Sequence, residues 1–237
     1  MGFDPSLIAF ASRTAAAERL ADYLEAQLGR AIAERGSASI AVSGGSTPEA
    51  LYRKLAGRSL DWARVTAILV DERWVSPGEA GSNETFVRRT LQSGKAGSLK
   101  LIGLWSPAPS PGEGLRAAET RLEQIEGPFD AVVLGMGNDG HTASWFPDCE
   151  GLDDALSIAG SRLAAVRAKK SSVTGDHLDR MTLTLGAVAS ARAICLVIAG
   201  EDKRAAFEHA SAGGNVADMP VRAILRMRPD LWACWAP

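Results

Sequence analysis

Ser39-Ile40-Ala41-Val42-Ser43-Gly44-Gly45-Ser46-Thr47-Pro48-Glu49 decides how the chain is read. A short apolar run gives way to two glycines, two hydroxyl residues and a proline, and a helical stretch near 49–56 follows. Strand, tight loop and helix in that order open a βαβ unit. Upstream, residues 15–33 are rich in Ala, Leu, Glu and Arg, with Leu20, Tyr23, Leu24 and Leu28 at helical spacing. Downstream, strand-type runs at 65–70, 99–104, 129–134, 181–185 and 193–198 alternate with helical stretches near 83–92, 114–125, 201–211 and 219–226. A weaker strand signal lies at 232–235, and region 148–180 is irregular apart from a short strand at 163–166. The alternation predicts an α/β fold whose mostly parallel sheet is covered on both faces. Pro107, Pro109 and Pro111 read as a surface loop, so residues 1–237 are expected to form one domain.

Composition narrows the function. The 237 residues carry 26 Lys+Arg against 28 Asp+Glu, a net charge of −2, which speaks against a nucleic-acid or membrane-surface binder. With 46% hydrophobic residues the chain can bury a sizeable core without a disulfide framework or structural metal. Cys149, Cys195 and Cys234 form no C-x-x-C pair, and Cys195 sits in an apolar run as a buried thiol. A reducing, cytoplasmic setting is expected. Met1-Gly2-Phe3-Asp4-Pro5-Ser6 has the letters of an acylation signal without polybasic support, and neither a signal peptide nor an apolar run of spanning length is evident.

In open parallel sheets, ligands bind beyond the carboxyl ends of the strands. Ser43-Gly44-Gly45-Ser46-Thr47 follows the first such end, Asp71-Glu72-Arg73-Trp74 the second, Gly135-Met136-Gly137-Asn138-Asp139-Gly140-His141-Thr142 the third and Gly200-Glu201-Asp202-Lys203 the fourth. Four polar or glycine-rich loops thus converge on one sheet edge, as a small-molecule site requires. Gly44 and Gly45 let backbone N–H groups approach an anion. The helix behind them is expected to start with either Thr47 or Ser46 as N-cap, and its N-terminus suits a phosphate. The P-loop lysine is missing, so a nucleoside triphosphate is not the ligand expected. Ser43 also resembles the nucleophile of a serine-hydrolase elbow with Ala41 in place of the first glycine.

Gly135 to Gly140 has the letters G-x-G-x-x-G, but Pro147 cuts short the helix that a dinucleotide site needs. His141 is the one histidine in a glycine-rich loop at a strand end, placed to act as general base and then acid. His177 and His209 read as solvated or structural. Asp148, Glu150, Asp153 and Asp154 read as a solvated loop face, as do Arg162, Arg167, Lys169 and Lys170. No His, Cys and carboxylate spacing resembles a zinc site. Arg73 and Lys203 are the candidate cations for a phosphate dianion.

Taken together, Ser43 to Pro48, Asp71-Glu72-Arg73-Trp74-Val75, Ser82-Asn83, Gly135 through Pro147, Arg180-Met181-Thr182-Leu183-Thr184 and Gly200-x-x-Lys203 resemble the 6-phosphogluconolactonases in order and spacing. The resemblance covers nearly the whole chain. It implies a modified Rossmann-like, three-layer α/β/α fold and cofactor-free, metal-free hydrolysis of 6-phospho-D-glucono-1,5-lactone, in the pentose phosphate or Entner–Doudoroff route. Glucosamine-6-phosphate deaminases share the Asp-Glu and Asp-Gly-His segments, but theirs continue toward an Asn-Glu-Pro where this chain has Trp145-Phe146-Pro147. A non-catalytic sugar-phosphate sensor would be expected to carry a DNA-binding segment, and none is evident.

Combining residues and resemblance, Gly44, Gly45, Ser46, Thr47, Arg73 and Lys203 are expected to hold the phosphate, with Ser43 in the same cradle. His141 activates water, and Asp139 either orients the histidine or its loop or acts on substrate. Asp71 bonds sugar hydroxyls or fixes its loop, and Arg180 lines the pocket. The partner expected is a small sugar-phosphate lactone, with the chain a monomer or weak homo-oligomer.

Overall fold

The computed structural model describes residues 6–171 and 173–237, so most of the acylation-like letters at the amino terminus lie outside the described residues. In chain order the elements are β1 (Leu7–Ala9), α1 (Arg13–Arg35), β2 (Ala38–Val42), α2 (Glu49–Ala56), β3 (Val65–Leu69), β4 (Asp71–Arg73), α3 (Asn83–Thr90), β5 (Lys100–Ile102) and α4 (Pro111–Leu122). They continue with β6 (Ala131–Gly135), α5 (Leu152–Ala155), β7 (Leu163–Arg167), β8 (Asp179–Leu183), α6 (Leu185–Ala189), β9 (Ile194–Ala199), α7 (Glu201–Ser211), α8 (Val221–Met227) and β10 (Trp232–Ala236).

Seven strands make one all-parallel sheet in the order β1-β10-β9-β6-β2-β3-β5. β2 is buried along its full length, which is why its sequence is an unbroken apolar run apart from Ser39. The sheet and its helices share one core, including Leu20, Leu24 and Leu28 of α1, Ile40 and Val42 of β2, and Phe207 of α7. This is the three-layer α/β/α arrangement expected from the sequence. The order also locates the site. From β2 the chain moves to β3 on one side, whereas from β6 it moves to β9 on the other, so the loops after β2 and β6 part at a topological switch point.

Local chemistry sets the helix ends. Ser12 caps α1 through Ala15 N–H, and Gly36 closes it in the left-handed region at φ 78°. Ser110 caps α4, accepting from Glu113 N–H, with Pro111 at its first position. The proline-rich segment is therefore both loop and helix start, and α4 begins earlier than 114.

Three expectations are corrected. The helix after the glycine loop starts at Glu49, with Pro48 as a cap that makes no side-chain bond, so neither Thr47 nor Ser46 is the N-cap. Asp71–Arg73 is not a plain loop. It forms an antiparallel strand with β8 and β7, a second three-stranded sheet that takes 181–185 out of the parallel alternation. Thr184 ends that strand by capping α6. Arg162 is not surface: its guanidinium lies 4.7 Å from the Phe129 ring centre and donates to the carbonyls of Leu122 and Ile125. Asp148, Glu150, Asp153, Asp154, Arg167, Lys169 and Lys170 are exposed, as expected. Among the described residues no helix is long and apolar enough to cross a membrane.

Candidate active site

A cleft of about 350 Å³ opens at the switch point. Ser43, Gly44, Gly45, Ser46, Thr47, Asp71, Arg73, His141, Arg180 and Lys203 all line it. Ten of the eleven side chains and backbone positions picked from sequence thus share one space, and the eleventh, Asp139, bonds His141 from behind.

The loop after β2 supplies unpaired donors. Among the described residues the backbone N–H groups of Gly44, Gly45, Ser46 and Thr47 have no acceptor within the protein, in contrast to Ser43 N–H, which donates to Val133. Free N–H groups beside the start of α2 form an anion cradle. Gly45 sits at φ 93°, open to glycine. Gly44 is needed for another reason: a Cβ there would lie 2.0 Å from Asn83 Oδ1. The Ser43 hydroxyl is buried at the mouth of this loop without a hydrogen-bond partner, and its carbonyl accepts from Tyr52 Oη at 2.8 Å.

The β6 loop builds a base. His141 Nδ1 and Asp139 Oδ1 are 2.6 Å apart, and the same oxygen accepts His141 N–H at 3.1 Å. Burial pushes the Asp139 carboxyl up, but the hydrogen bond and charge of His141 outweigh it, so Asp139 titrates below its ordinary range. An ionised carboxylate only accepts, so Nδ1 donates the proton of that bond and Nε2 is the ring nitrogen left without a partner among the described residues. The loop is held tightly: Gly137 N–H donates to His141 O at 2.9 Å and Gly140 N–H to Gly137 O at 3.0 Å. Gly140, at φ 76°, leaves no room for a Cβ, which would meet Met219 at 2.6 Å. Phe146 packs its ring 4.4 Å from the imidazole.

Three cations face the cleft, and none has a carboxylate partner within salt-bridge distance among the described residues. Lys203 lies in the first turn of α7; burial, then the charge of Arg13, lower its pKa against the pull of Asp139. Arg73 donates Nη1 to Gly81 O. Arg180 is only 4% exposed, donating Nε to His177 O at 2.6 Å and Nη2 to Thr174 O at 2.9 Å. Burial pushes Arg180 down to about 10, with Asp71 opposing and Arg73 adding to the shift.

Asp71 is fixed: Ser144 Oγ donates to its Oδ2 at 2.6 Å and Asn83 Nδ2 to its backbone oxygen at 2.9 Å. Glu72, pointing away from the cleft, accepts N–H bonds from Arg73, Asn83 and Glu84 and so pins β4 to the start of α3. Burial raises its carboxyl to about 7 against those three donors. Ser144, Phe146, Asn83 and Glu72 were not assigned roles from sequence, because their partners lie on other elements. His177 and His209 are exposed, as expected. The G-x-G-x-x-G letters form a turn without a following helix. Among the described residues no three His, Cys, Asp or Glu side chains gather as a metal centre would require.

Fold and cleft define an α/β/α protein with a histidine-bearing cleft, lined by free N–H groups and cations, at the carboxyl edge of its sheet. Residues 11–233 match the family model for glucosamine-6-phosphate isomerases/6-phosphogluconolactonase. The chain is 41% identical over 229 residues to a 6-phosphogluconolactonase of Rhizobium meliloti, covering 96% of this chain and 97% of that one. It is also 41% identical over 210 residues to one of Pseudomonas aeruginosa, covering 89% and 87%. A crystal structure of a 6-phosphogluconolactonase from Shewanella baltica superposes with a TM-score of 0.92 at 36% identity, over 99% of this chain and 98% of that one. The chain belongs to the glucosamine-6-phosphate isomerase/6-phosphogluconolactonase family.

Proposed function

We propose that this chain hydrolyses 6-phospho-D-glucono-1,5-lactone to 6-phospho-D-gluconate, with His141 as general base and no metal or cofactor. The observation that carries the reading is the meeting, in one cleft, of a carboxylate-backed imidazole with a cradle of free N–H groups and unpaired cations. Relatives at 41% identity that bear the lactonase name support it. The cradle at Gly44 to Thr47, with Ser43, Arg73 and Lys203, holds the 6-phosphate, and this remote binding positions C1 near His141. His141 Nε2 takes a proton from water as the oxygen attacks C1. The tetrahedral intermediate collapses by breaking the bond to the ring oxygen, which receives that proton. Asp139 holds the imidazole in the required tautomer and stabilises its cation. Asp71, fixed by Ser144 and Asn83, bonds the sugar hydroxyls.

The whole chain, 1–237, works as one sugar-phosphate domain, with a core that runs from α1 to β10. Three buried cysteines without disulfides accord with a reducing cytoplasmic setting and with the pentose phosphate or Entner–Doudoroff route. Where the deaminases have Asn-Glu-Pro this chain has Trp145-Phe146-Pro147, which puts a buried Phe146 in place of the glutamate and favours the lactonase over the deaminase. The test compares three substrates in the presence of EDTA: the 6-phospho-lactone, the unphosphorylated lactone and glucosamine 6-phosphate. Acceleration of the first above its spontaneous hydrolysis, with weak action on the second and none on the third, is expected. Turnover of glucosamine 6-phosphate alone would overturn the reading.

A further inference from the structure

Arg73 and Arg180 are direct cross-strand partners in the β4–β8 pair, so two guanidinium groups leave neighbouring strands side by side into the cleft. Like charges directly opposite one another destabilise a sheet pair, and burial adds to the cost. Asp71, whose charge acts on Arg180, is already engaged by Ser144 and Asn83. The arrangement therefore holds uncompensated positive charge where substrate binds. The two arginines differ in setting. Arg73 is half-buried and donates Nη1 to the Gly81 carbonyl. Arg180 is locked by the carbonyls of His177 and Thr174 through Nε and Nη2, which leaves Nη1 as its free edge among the described residues.

The Arg180 guanidinium lies 5.4 Å from the centre of the Phe146 ring, and the same ring lies 4.4 Å from the His141 imidazole. Base and cation thus both pack against one aromatic ring. The ring brings a base and a hydrogen-bond donor to one part of the cleft, where the lactone carbonyl and the attacking water would meet. Resting on the lactonase reading, we propose that Arg180 is a catalytic residue whose Nη1 donates to the oxygen at C1 as it becomes an oxyanion, and that it binds the carboxylate of the product. As the water oxygen bonds to C1 and its proton passes to His141 Nε2, the carbonyl π pair moves onto the carbonyl oxygen beside Arg180. It returns as the ring C–O bond breaks, and the new carboxylic acid releases its proton to solvent. Arg73 and Lys203 then serve the phosphate, so charge recognition is divided between the two ends of the substrate.

The test uses Arg180→Lys and Arg180→Gln in the full chain. Steady-state hydrolysis of the 6-phospho-lactone is paired with equilibrium binding of 6-phosphogluconate and of glucitol 6-phosphate, which has an alcohol at C1. For Arg180→Gln, kcat is expected to fall about 10²–10³-fold with KM changed less than about fivefold, and Arg180→Lys to recover part of the loss. Wild type prefers the carboxylate ligand; Arg180→Gln loses that preference while still binding the alcohol, which also reports that the phosphate end is folded. Three results would overturn the assignment: kcat near wild type, a loss confined to KM, or equal weakening of both ligands. The last would make Arg180 a clamp on the 174–177 turn. Wild type no faster than the spontaneous reaction would instead fail the lactonase reading, and the carboxylate-against-alcohol comparison would still decide what Arg180 binds.

Discussion

Gly137→Ala places a single methyl group against the proposed base. A Cβ at 137 would lie 2.2 Å from His141 Nδ1, 2.3 Å from its Cε1 and 2.5 Å from Asp139 Oδ1, whereas ordinary contact begins near 3.4 Å. The imidazole and carboxylate must therefore retreat by roughly 1 Å or more. Displacement on that scale costs about 10²-fold when it moves a reacting group. Separation of the dyad adds to this, because general-base catalysis contributes about 10²–10⁴-fold. The ring cannot move freely, since Phe146 packs against it at 4.4 Å and Gly137 N–H is tied to His141 O. Overpacking is expected to cost about 1–3 kcal/mol of stability, too little to unfold an ordinary domain. kcat should drop about 10²–10⁴-fold, while binding of 6-phosphogluconate, which depends on the distant cradle, falls only severalfold. Stopped-flow lactone hydrolysis with calorimetric binding checks both. A folded variant with wild-type kcat would refute the reasoning that the geometry of this dyad limits the reaction.

Further outcomes follow from the same geometry. Asp139→Asn keeps the shape but offers an amide to Nδ1, which favours the tautomer that protonates Nε2; kcat should fall about 10³–10⁴-fold with the circular-dichroism spectrum and melting temperature nearly unchanged. Glu72→Gln turns an amide NH₂ toward backbone N–H donors that the carboxylate now accepts, so about 1–3 kcal/mol and roughly 3–10 °C of melting temperature should be lost by scanning calorimetry. Lys203 has a lowered pKa, so its ammonium loses its proton at a pH below the usual lysine value of about 10.4. The affinity for 6-phosphogluconate should therefore weaken as pH rises toward that value, and Lys203→Arg should hold its affinity over the same range in calorimetric titrations.

The sequence reports best on what is local. β2 is legible because a fully buried parallel strand must be apolar along its length, and the body of α1 because Leu20, Leu24 and Leu28 recur at helical spacing, whereas the caps Ser12, Gly36 and Ser110 lie outside the stretches that the periodicity marks. The glycine loop and the Asp-Gly-His loop are legible because anion binding and a strand-end histidine constrain residue types within a short window. What escapes is pairing over distance. Nothing around Asp71–Arg73 announces a strand, since its partner β8 lies more than a hundred residues on. Ser144 and Asn83 acquire meaning only when folding brings both to Asp71. The start of α2 also escapes, because Ser46 and Thr47 line the cleft and neither caps the helix. Arg162 reads as one charge in a basic strip, yet its fork fits two carbonyls and the Phe129 ring, a setting that only the packed chain supplies.

The central claim is that His141 activates water for attack on a phosphorylated lactone held elsewhere in the same cleft. The most direct test is hydrolysis of freshly generated 6-phospho-D-glucono-1,5-lactone, corrected for its spontaneous rate, by wild type, His141→Ala and Ser43→Ala, with 6-phosphogluconate binding measured on each. Fast turnover by wild type, a loss of about 10²–10⁴-fold in His141→Ala with product binding retained, and substantial activity in Ser43→Ala are predicted. Near-wild-type turnover by folded His141→Ala, or abolition by Ser43→Ala with a trapped acyl adduct, would contradict it.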